Sequence, residues 1–296
     1  MHWHGVFPAI TTPFHDDLSV DHQFLAHHVR WLIERGSRGI VPLGSLGEGN
    51  TLRFVEKEAI LQTCVEAAGE IPVVAGVSAL STYEAVELAQ TAERVGCQGL
   101  MILPPYVYRG DWRENREHFL AIGRATGLSC MLYNNPIAYG VDVSPEQIAE
   151  LASLLPNLDA VKESSTDVRR ITAIRALIGD RLKIFVGVDD LIVEGIAAGA
   201  TGWIAGLVNA MPEESVRVFD LALAGRHDEA AALYRWFLPL LRLDVVPKFV
   251  QLIKLCQQEA GIGRETVRPP RLALEGPERS SALAVIHDGL RTRPSS

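Results

Sequence analysis

Short apolar runs, spaced at roughly 20 to 35 residues and each followed by a segment of helical period, constrain this chain more than any other feature. The runs fall at 5–10, 39–43, 72–77, 99–103, 129–133, 158–162, 182–186 and 201–205. Helical patterns cover 22–35, 53–68, 81–95, 112–125, 145–153, 168–178 and 191–198 between them. Several boundaries are marked. Ser81-Thr82-Tyr83-Glu84 is a capping-box pattern, Ser144-Pro145 sets proline in a first helical turn, and Gly36, Gly69, Gly96 and Gly199 follow helical stretches. Apolar strands joined by crossover helices have both faces covered and form a parallel sheet. Eight such alternations predict an α/β fold of the (β/α)8 TIM-barrel type over 1–211. At 296 residues, with 48% hydrophobic side chains, the chain exceeds the length of about 250 residues usual for such a barrel. The surplus is expected as a C-terminal helical region, 212–296, because the strand signal stops after Pro212. Amphipathic helices are expected there at 213–224, 228–243, 246–260 and 280–290. The run Trp236-Phe237-Leu238-Pro239-Leu240-Leu241 is too apolar for a lone surface helix and should pack on the barrel or on another subunit. The tail from Arg291 to Ser296 is expected to fray.

Composition narrows the function. A net charge of −8 without any Lys/Arg cluster argues against nucleic acid as a partner. Cys64, Cys97, Cys130 and Cys256 are scattered without a C-x-x-C pair, as buried thiols in a reducing compartment would be. The N-terminus shows no basic region followed by an apolar run, and no apolar stretch has the length of a bilayer span. A cytoplasmic protein with no membrane partner is the expectation.

Chemistry in such a barrel gathers where strands end and the following loops begin. The sixth run, Leu158-Asp159-Ala160-Val161-Lys162, ends on a lysine. Strand alternation puts Leu158, Ala160 and Lys162 on one face, so the ammonium follows apolar side chains inward. An ammonium in a desolvated pocket loses its charge more readily than one in water, and a neutral amine can attack a carbonyl carbon to form a Schiff base. Of the other lysines, Lys57 is expected at the surface of a charged helix, Lys183 opens a strand, and Lys248 and Lys254 belong to the C-terminal helices. The second run empties into Gly44-Ser45-Leu46-Gly47-Glu48-Gly49, where glycines let the backbone approach an anion. The fifth ends in Tyr133-Asn134-Asn135-Pro136, the seventh in Gly187-Val188-Asp189-Asp190, and the eighth in Ala205-Gly206. A phenol and a hydroxyl beside an amine can relay the protons that carbinolamine chemistry requires.

These motifs together resemble the family of dihydrodipicolinate synthase and N-acetylneuraminate lyase, class I Schiff-base lyases of the pyruvate type. GSLGEGNTL is similar to the family's G-[TS]-x-G-E loop, YNNP to its Y-N-x-P motif and VKESS to its K-[ED]-[SA]-[ST] strand. The resemblance covers nearly the entire chain. It implies a TIM barrel with Lys162 as the Schiff-base residue and Tyr133 as the proton-shuttling phenol. Ser45 with the loop amides of Gly44, Leu46 and Gly47 would hold the carboxylate of a 2-oxo acid. Ile204 and Gly206 would line the pocket, with Gly187 on its rim and Ala138 and Tyr139 beside the substrate. It implies no cofactor beyond the covalent Schiff base, no metal, and a homotetramer built as a dimer of dimers.

The departures bear on the substrate. Dihydrodipicolinate synthases carry an arginine after Y-N-x-P for a second carboxylate, whereas here Ala138 is followed by Tyr139. No other residue type supplies the planar bidentate partner that this loss removes. Leu46 replaces a hydroxyl residue of the relay. Val107, flanked by Tyr106 and Tyr108, stands where a neighbouring subunit usually lends a tyrosine. The N-N-P-x-x-Y-G-x-D pattern and Leu243-Asp244-Val245-Val246-Pro247-Lys248 are similar to members that act on hydroxyproline-derived or sugar-acid-derived 2-oxo compounds. The expected activity is therefore a dehydratase/deaminase of the 1-pyrroline-4-hydroxy-2-carboxylate type. A pyruvate-dependent aldolase or a 4-hydroxy-tetrahydrodipicolinate synthase is the alternative. Readings from other classes are a non-catalytic 2-oxo acid sensor, suggested by Leu46 and Val107, and a metal-dependent barrel hydrolase, suggested by His2 and His4. A phosphate-binding barrel is suggested by Gly202 and Gly206, although Trp203, Ile204, Leu207 and Val208 make that region apolar. Asp189 and Asp190 are expected to cap a helix rather than to bind metal.

Overall fold

The structure, a computed structural model, describes residues 1–294. Its sheet contains β1 (Gly5–Pro8), β2 (Val74–Val77), β3 (Gly99–Ile102), β4 (Ser129–Asn134), β5 (Leu158–Glu163), β6 (Lys183–Val186) and β7 (Gly202–Ala205). Every pairing is parallel, in the order β1-β7-β6-β5-β4-β3-β2. The apolar run at 39–43 is not a regular strand, which corrects one expectation, yet it closes the ring. The Val41 N–H donates to Pro8 O at 2.9 Å and Ile10 N–H to Val41 O at 3.1 Å on one side. On the other, Ile40 N–H donates to Pro72 O at 2.9 Å and Val74 N–H to Ile40 O at 2.8 Å. Gly76 N–H still donates to Pro42 O at 2.9 Å, but the ladder goes no further because Pro42 has no N–H to give and Leu43 turns to φ 65°. The fold is thus a (β/α)8 TIM barrel with C-terminal helices.

Helices begin where short polar side chains satisfy free N–H groups. Asp21 accepts from Phe24 N, Ser81 from Glu84 N, and Asp111 and Ser144 form reciprocal capping boxes. The helix expected from 168 starts at Arg169, and Thr166 just before it takes φ 68°. An additional single-turn helix, Pro136–Tyr139, follows β4 and ends at Gly140 with φ 69°. The N-terminal end of the barrel is plugged by aromatic rings. Phe7 and Phe185 meet edge to face at 5.2 Å, and Trp3 joins Phe185 at 5.8 Å. The opposite end is left for polar groups.

The C-terminal region holds helices Pro212–Leu223, His227–Leu241, Phe249–Glu259 and Gly276–Arg291. The apolar run 236–241 packs within the chain. Leu240 sits under Gly289 and the Trp236 indole donates to Thr292 Oγ1 at 3.1 Å. Lys254, on Phe249–Glu259, reaches back to the loop after the second barrel segment, its Nζ 2.6 Å from Glu48 Oε1 with both side chains buried. Arg268 N–H holds the other oxygen of Glu48 at 3.0 Å, so the loop that carries Ser45 is fixed by the C-terminal helices. Lys57, expected at the surface, is buried, with its ammonium 3.8 Å from Glu84 of the next helix. All four cysteines are free and buried, and burial pushes the thiols of Cys97 and Cys130 up to about 12. Of the tail expected to fray, Arg291 still belongs to the last helix, and Ser295 and Ser296 lie outside the described residues. Among the described residues, no helix is long and apolar enough to cross a membrane.

Candidate active site

Lys162 is the penultimate residue of β5 and is buried. Register places it beside Tyr133 of β4, and its Nζ lies 4.0 Å from the centre of that ring. The Tyr133 hydroxyl accepts from Asn135 Nδ2 at 3.0 Å. On the other flank, β5 pairs with β6, which runs into Gly187. A Cβ at Gly187 would stand 2.5 Å from Lys162 Cε and would overlap the hydroxyl of Ser164. Only a glycine leaves room for the amine arm. Ser164 Oγ is itself buried without a hydrogen-bond partner.

Beyond Tyr133 lies a cluster of hydroxyls. Ser45 Oγ and the Tyr139 hydroxyl are hydrogen-bonded, and the Tyr139 ring meets Tyr133 edge to face at 5.6 Å and Tyr106 at 5.3 Å. Burial, followed by the neighbouring phenols, pushes Tyr139 well above the ordinary tyrosine range, and burial also raises Tyr106. These phenols therefore remain O–H donors at neutral pH. Tyr139 supplies a hydroxyl beside Ser45 that Leu46, a buried apolar residue, does not. Tyr106 turns into its own chain, while Val107 is exposed at φ 72° and Tyr108 donates outside the pocket to Glu114 Oε1 at 2.9 Å.

The remaining predicted site residues divide. Gly44 lies against Met101 and the backbone of Gly76, and Gly47 O accepts from Thr12 Oγ1 at 2.6 Å, so both are held in the loop around Ser45. Ile204 is buried and shares a strand face with Gly202, which meets the Phe185 ring inside the barrel. Gly206 follows β7, with its N–H donating to Asp189 Oδ2 at 3.1 Å and the Asp244 carboxyl lying where a Cβ would be. Ala138 is exposed, its N–H donating to Asn135 Oδ1 at 3.0 Å, and it stays outside the cluster. Arg109, also exposed, packs its guanidinium against Gly140.

Two carboxyls near Lys162 were given no part in the chemistry by the sequence. Asp189 does not cap the helix that follows it, but reaches across to the short helical turn after β7. It is fully buried and accepts from Trp203 Nε1 at 3.0 Å, Gly206 N at 3.1 Å and Leu207 N at 2.8 Å. Burial lifts it to about 6 despite those donors and Lys162, which all act in the other direction. Asp244, from the turn Arg242–Asp244, lies against Gly206. In the sequence it stood inside Leu243-Asp244-Val245-Val246-Pro247-Lys248, a stretch used for resemblance, with no role of its own assigned. Among the described residues, no group of three or more His, Cys, Asp or Glu is placed to hold a metal ion. His2 and His4 precede β1, at the end of the barrel opposite Lys162.

Comparison with known proteins agrees with this arrangement. The model of the Dihydrodipicolinate synthetase family matches residues 2–288. A 4-hydroxy-tetrahydrodipicolinate synthase of Rhizobium meliloti (strain 1021) is 33% identical over 97% of this chain and 98% of its own. One from Methanothrix thermoacetophila is 34% identical over 90% of each chain. The dihydrodipicolinate synthase of Aquifex aeolicus superposes with a TM-score of 0.92 at 28% identity, covering 97% of this chain and 98% of that one. The chloride-inhibited enzyme of Acinetobacter baumannii, solved with pyruvate, gives 0.92 at 29% identity over the same shares. With the family model spanning nearly the whole chain and the barrel superposing throughout, this protein is a lyase that belongs to the Dihydrodipicolinate synthetase family.

Proposed function

We propose that Lys162 is the Schiff-base lysine of this lyase and that its substrate is a small 2-oxo acid or cyclic imino acid. The observation that carries this reading is the buried Lys162 arm, held between Gly187 and the Tyr133 ring, with the Tyr139–Ser45 hydroxyls beyond. The amine adds to the C2 carbon of the substrate. Tyr133, backed by Tyr139 and Ser45, moves protons to and from the carbinolamine and then assists loss of the C3 proton. The amides and hydroxyl around Ser45 hold the carboxylate.

The substrate that best fits the residues is 1-pyrroline-4-hydroxy-2-carboxylate, and the reaction a dehydration with deamination. Attack of Lys162 on the cyclic imine opens the ring at nitrogen, loss of the C3 proton gives an enamine, and the C4 hydroxyl leaves as water. Proton shifts from C5 to C3 and from the freed amine to C4 then turn the C5 amine into an imine, and hydrolysis at C2 and C5 frees Lys162 and ammonia, so that one water is taken up overall. Such a reaction has no second carboxylate partner to bind, in keeping with an exposed Ala138 where an arginine would serve one. A second reading, 4-hydroxy-tetrahydrodipicolinate synthase, has two supports. The relatives carry that name, and the guanidinium of Arg109, against Gly140, could take over the missing carboxylate contact. Assembly as a homotetramer and residence in the cytoplasm belong to the same proposal. Purified protein assayed with the pyrroline, with 2-oxo-3-deoxy sugar acids, with N-acetylneuraminate and with pyruvate plus aspartate semialdehyde separates the readings. Turnover of the pyrroline is expected, and turnover of the last pair alone would replace the first reading with the second.

A further inference from the structure

Asp244 belongs to the C-terminal region, yet its carboxyl is turned into the barrel mouth. The residue as a whole is half-buried, whereas Oδ1 is shut off from solvent and has no hydrogen-bond partner. Buried polar atoms without partners are rare, and each asks for a reason. This one is made possible by Gly206: a Cβ there would overlap the whole carboxyl. The backbone at the end of β7 thus leaves a place that Asp244 fills.

The charged and titratable groups around it are Asp189 and Asp190 on the loop after β6, Lys162 on β5, and Cys256 on the helix Phe249–Glu259. Arg242 of its own turn faces away, to Asp190 at 3.5 Å. Asp189 and Asp244 share a dry site, where two adjacent carboxylates disfavour double ionisation. Their partners decide between them. Asp189 takes three N–H donors and is the better holder of the negative charge. Asp244 has none, and burial and Asp189 both push it well above the ordinary carboxylate range. It is therefore a carboxylic acid with an O–H to donate. Sheet order fixes the direction. Tyr133 is on β4, Lys162 on β5, and Gly206 follows β7 on the far side of β6, so the phenol and the acid flank the amine from opposite sides.

We propose that Asp244 is a second acid of the active site, which protonates the leaving hydroxyl of the substrate bound to Lys162. The inference rests on Lys162 forming the Schiff base and on the dehydration reading above. Once the C3 proton is lost, the enamine nitrogen's electron pair re-forms the C2–N double bond and the C2–C3 π pair shifts to C3–C4. The C4–O bond breaks with its electrons going to oxygen, the Asp244 proton joins that oxygen, and water departs. Asp244, left as a carboxylate, regains a proton from solvent when the product is released. No oxidant or further reactant enters.

The test compares wild type with Asp244→Asn and Asp244→Ala in two assays. Deuterium exchange into the methyl group of pyruvate, followed by NMR in D2O, reads the Lys162–Tyr133 half of the chemistry. Elimination from 1-pyrroline-4-hydroxy-2-carboxylate reads the whole. In at least one variant, exchange is expected within about threefold of wild type while elimination falls about a hundredfold or more. Elimination within threefold of wild type in both variants would overturn the role of Asp244 and leave that of Lys162 intact. Equal loss of exchange and elimination in both variants would make Asp244 a structural residue and also overturn it. A wild type that exchanges pyruvate but never eliminates would overturn the dehydration reading and this inference together.

Discussion

Lys162 and Tyr133 are register partners on adjacent parallel strands, and that pairing alone brings the amine nitrogen to 4.0 Å from the phenol ring centre. Parallel pairing in a closed barrel is rigid, so neither side chain depends on a loop for its placement. The rest of the proposed relay is different: Tyr139 is on a single-turn helix after β4, and Ser45 is on a loop anchored from the C-terminal helices.

Tyr139→Phe keeps the ring that packs on Tyr133 and removes only the hydroxyl bonded to Ser45. A relay through these groups predicts that kcat falls about a hundredfold with little change in KM. Because the two hydroxyls would act as one unit, adding Ser45→Ala should lower kcat by no more than about threefold further. Steady-state kinetics of the two single variants and the double variant check this. Fully multiplicative losses would separate Ser45 from the relay.

Gly187→Ala sets a methyl group 2.5 Å from Lys162 Cε. The lysine arm is the more flexible partner and should give way, at a stability cost of about 1–3 kcal/mol. The protein should still fold, as read by a cooperative urea transition, while trapping of pyruvate by borohydride slows about tenfold or more. Unchanged trapping would mean that the amine does not pass this glycine on its way to substrate.

His28 tests a buried polar cluster between the barrel and the C-terminal helices. It stacks between Phe24 and Trp31 and lies 3.3 Å from Asn209 Oδ1 and 3.2 Å from Gln257 Nε2. Burial lowers it from 6.5 to about 4, against the Asn209 hydrogen bond. Its folded form binds a proton less readily than the unfolded one, so its contribution is present above 6.5 and is lost as pH falls toward 4. In full this is on the order of 3 kcal/mol. His28→Phe keeps the stack and should be about 1–2 kcal/mol less stable at pH 7. Between pH 7 and 4.5 wild type should lose about 2 kcal/mol relative to the variant, enough to close or reverse the gap, because only wild type has this histidine to charge. Urea midpoints at the two pH values measure it, and a constant gap would contradict the burial effect.

The barrel was legible because strands covered on both faces read as unbroken apolar runs, and Lys162 stood out as a cation closing one of them. The run at 39–43 looked the same, but a proline and a left-handed leucine reduce it to bridges, which periodicity does not register. Lys57 was misplaced because its partner, Glu84, belongs to the next helix and the pair is hidden by tertiary packing. Asp189 and Asp244 were equally opaque. The donors to Asp189 are backbone N–H groups at the end of β7 and an indole, and the place for Asp244 is the missing side chain of Gly206. Contacts made to backbone, or to the absence of a side chain, leave no pattern of residue types to read. Tyr139 was visible as a departure, but its bond to Ser45 required the loop after β4 to turn back over the pocket.

The central claim is that the ε-amine of Lys162 condenses with substrate. Borohydride reduction of the native protein with pyruvate, followed by peptide mass spectrometry, tests it most directly. The account predicts one irreversible adduct, on the peptide containing Lys162, and none in Lys162→Ala. An adduct on Lys57, Lys183, Lys248 or Lys254 instead, or no adduct with pyruvate or the pyrroline, would contradict it.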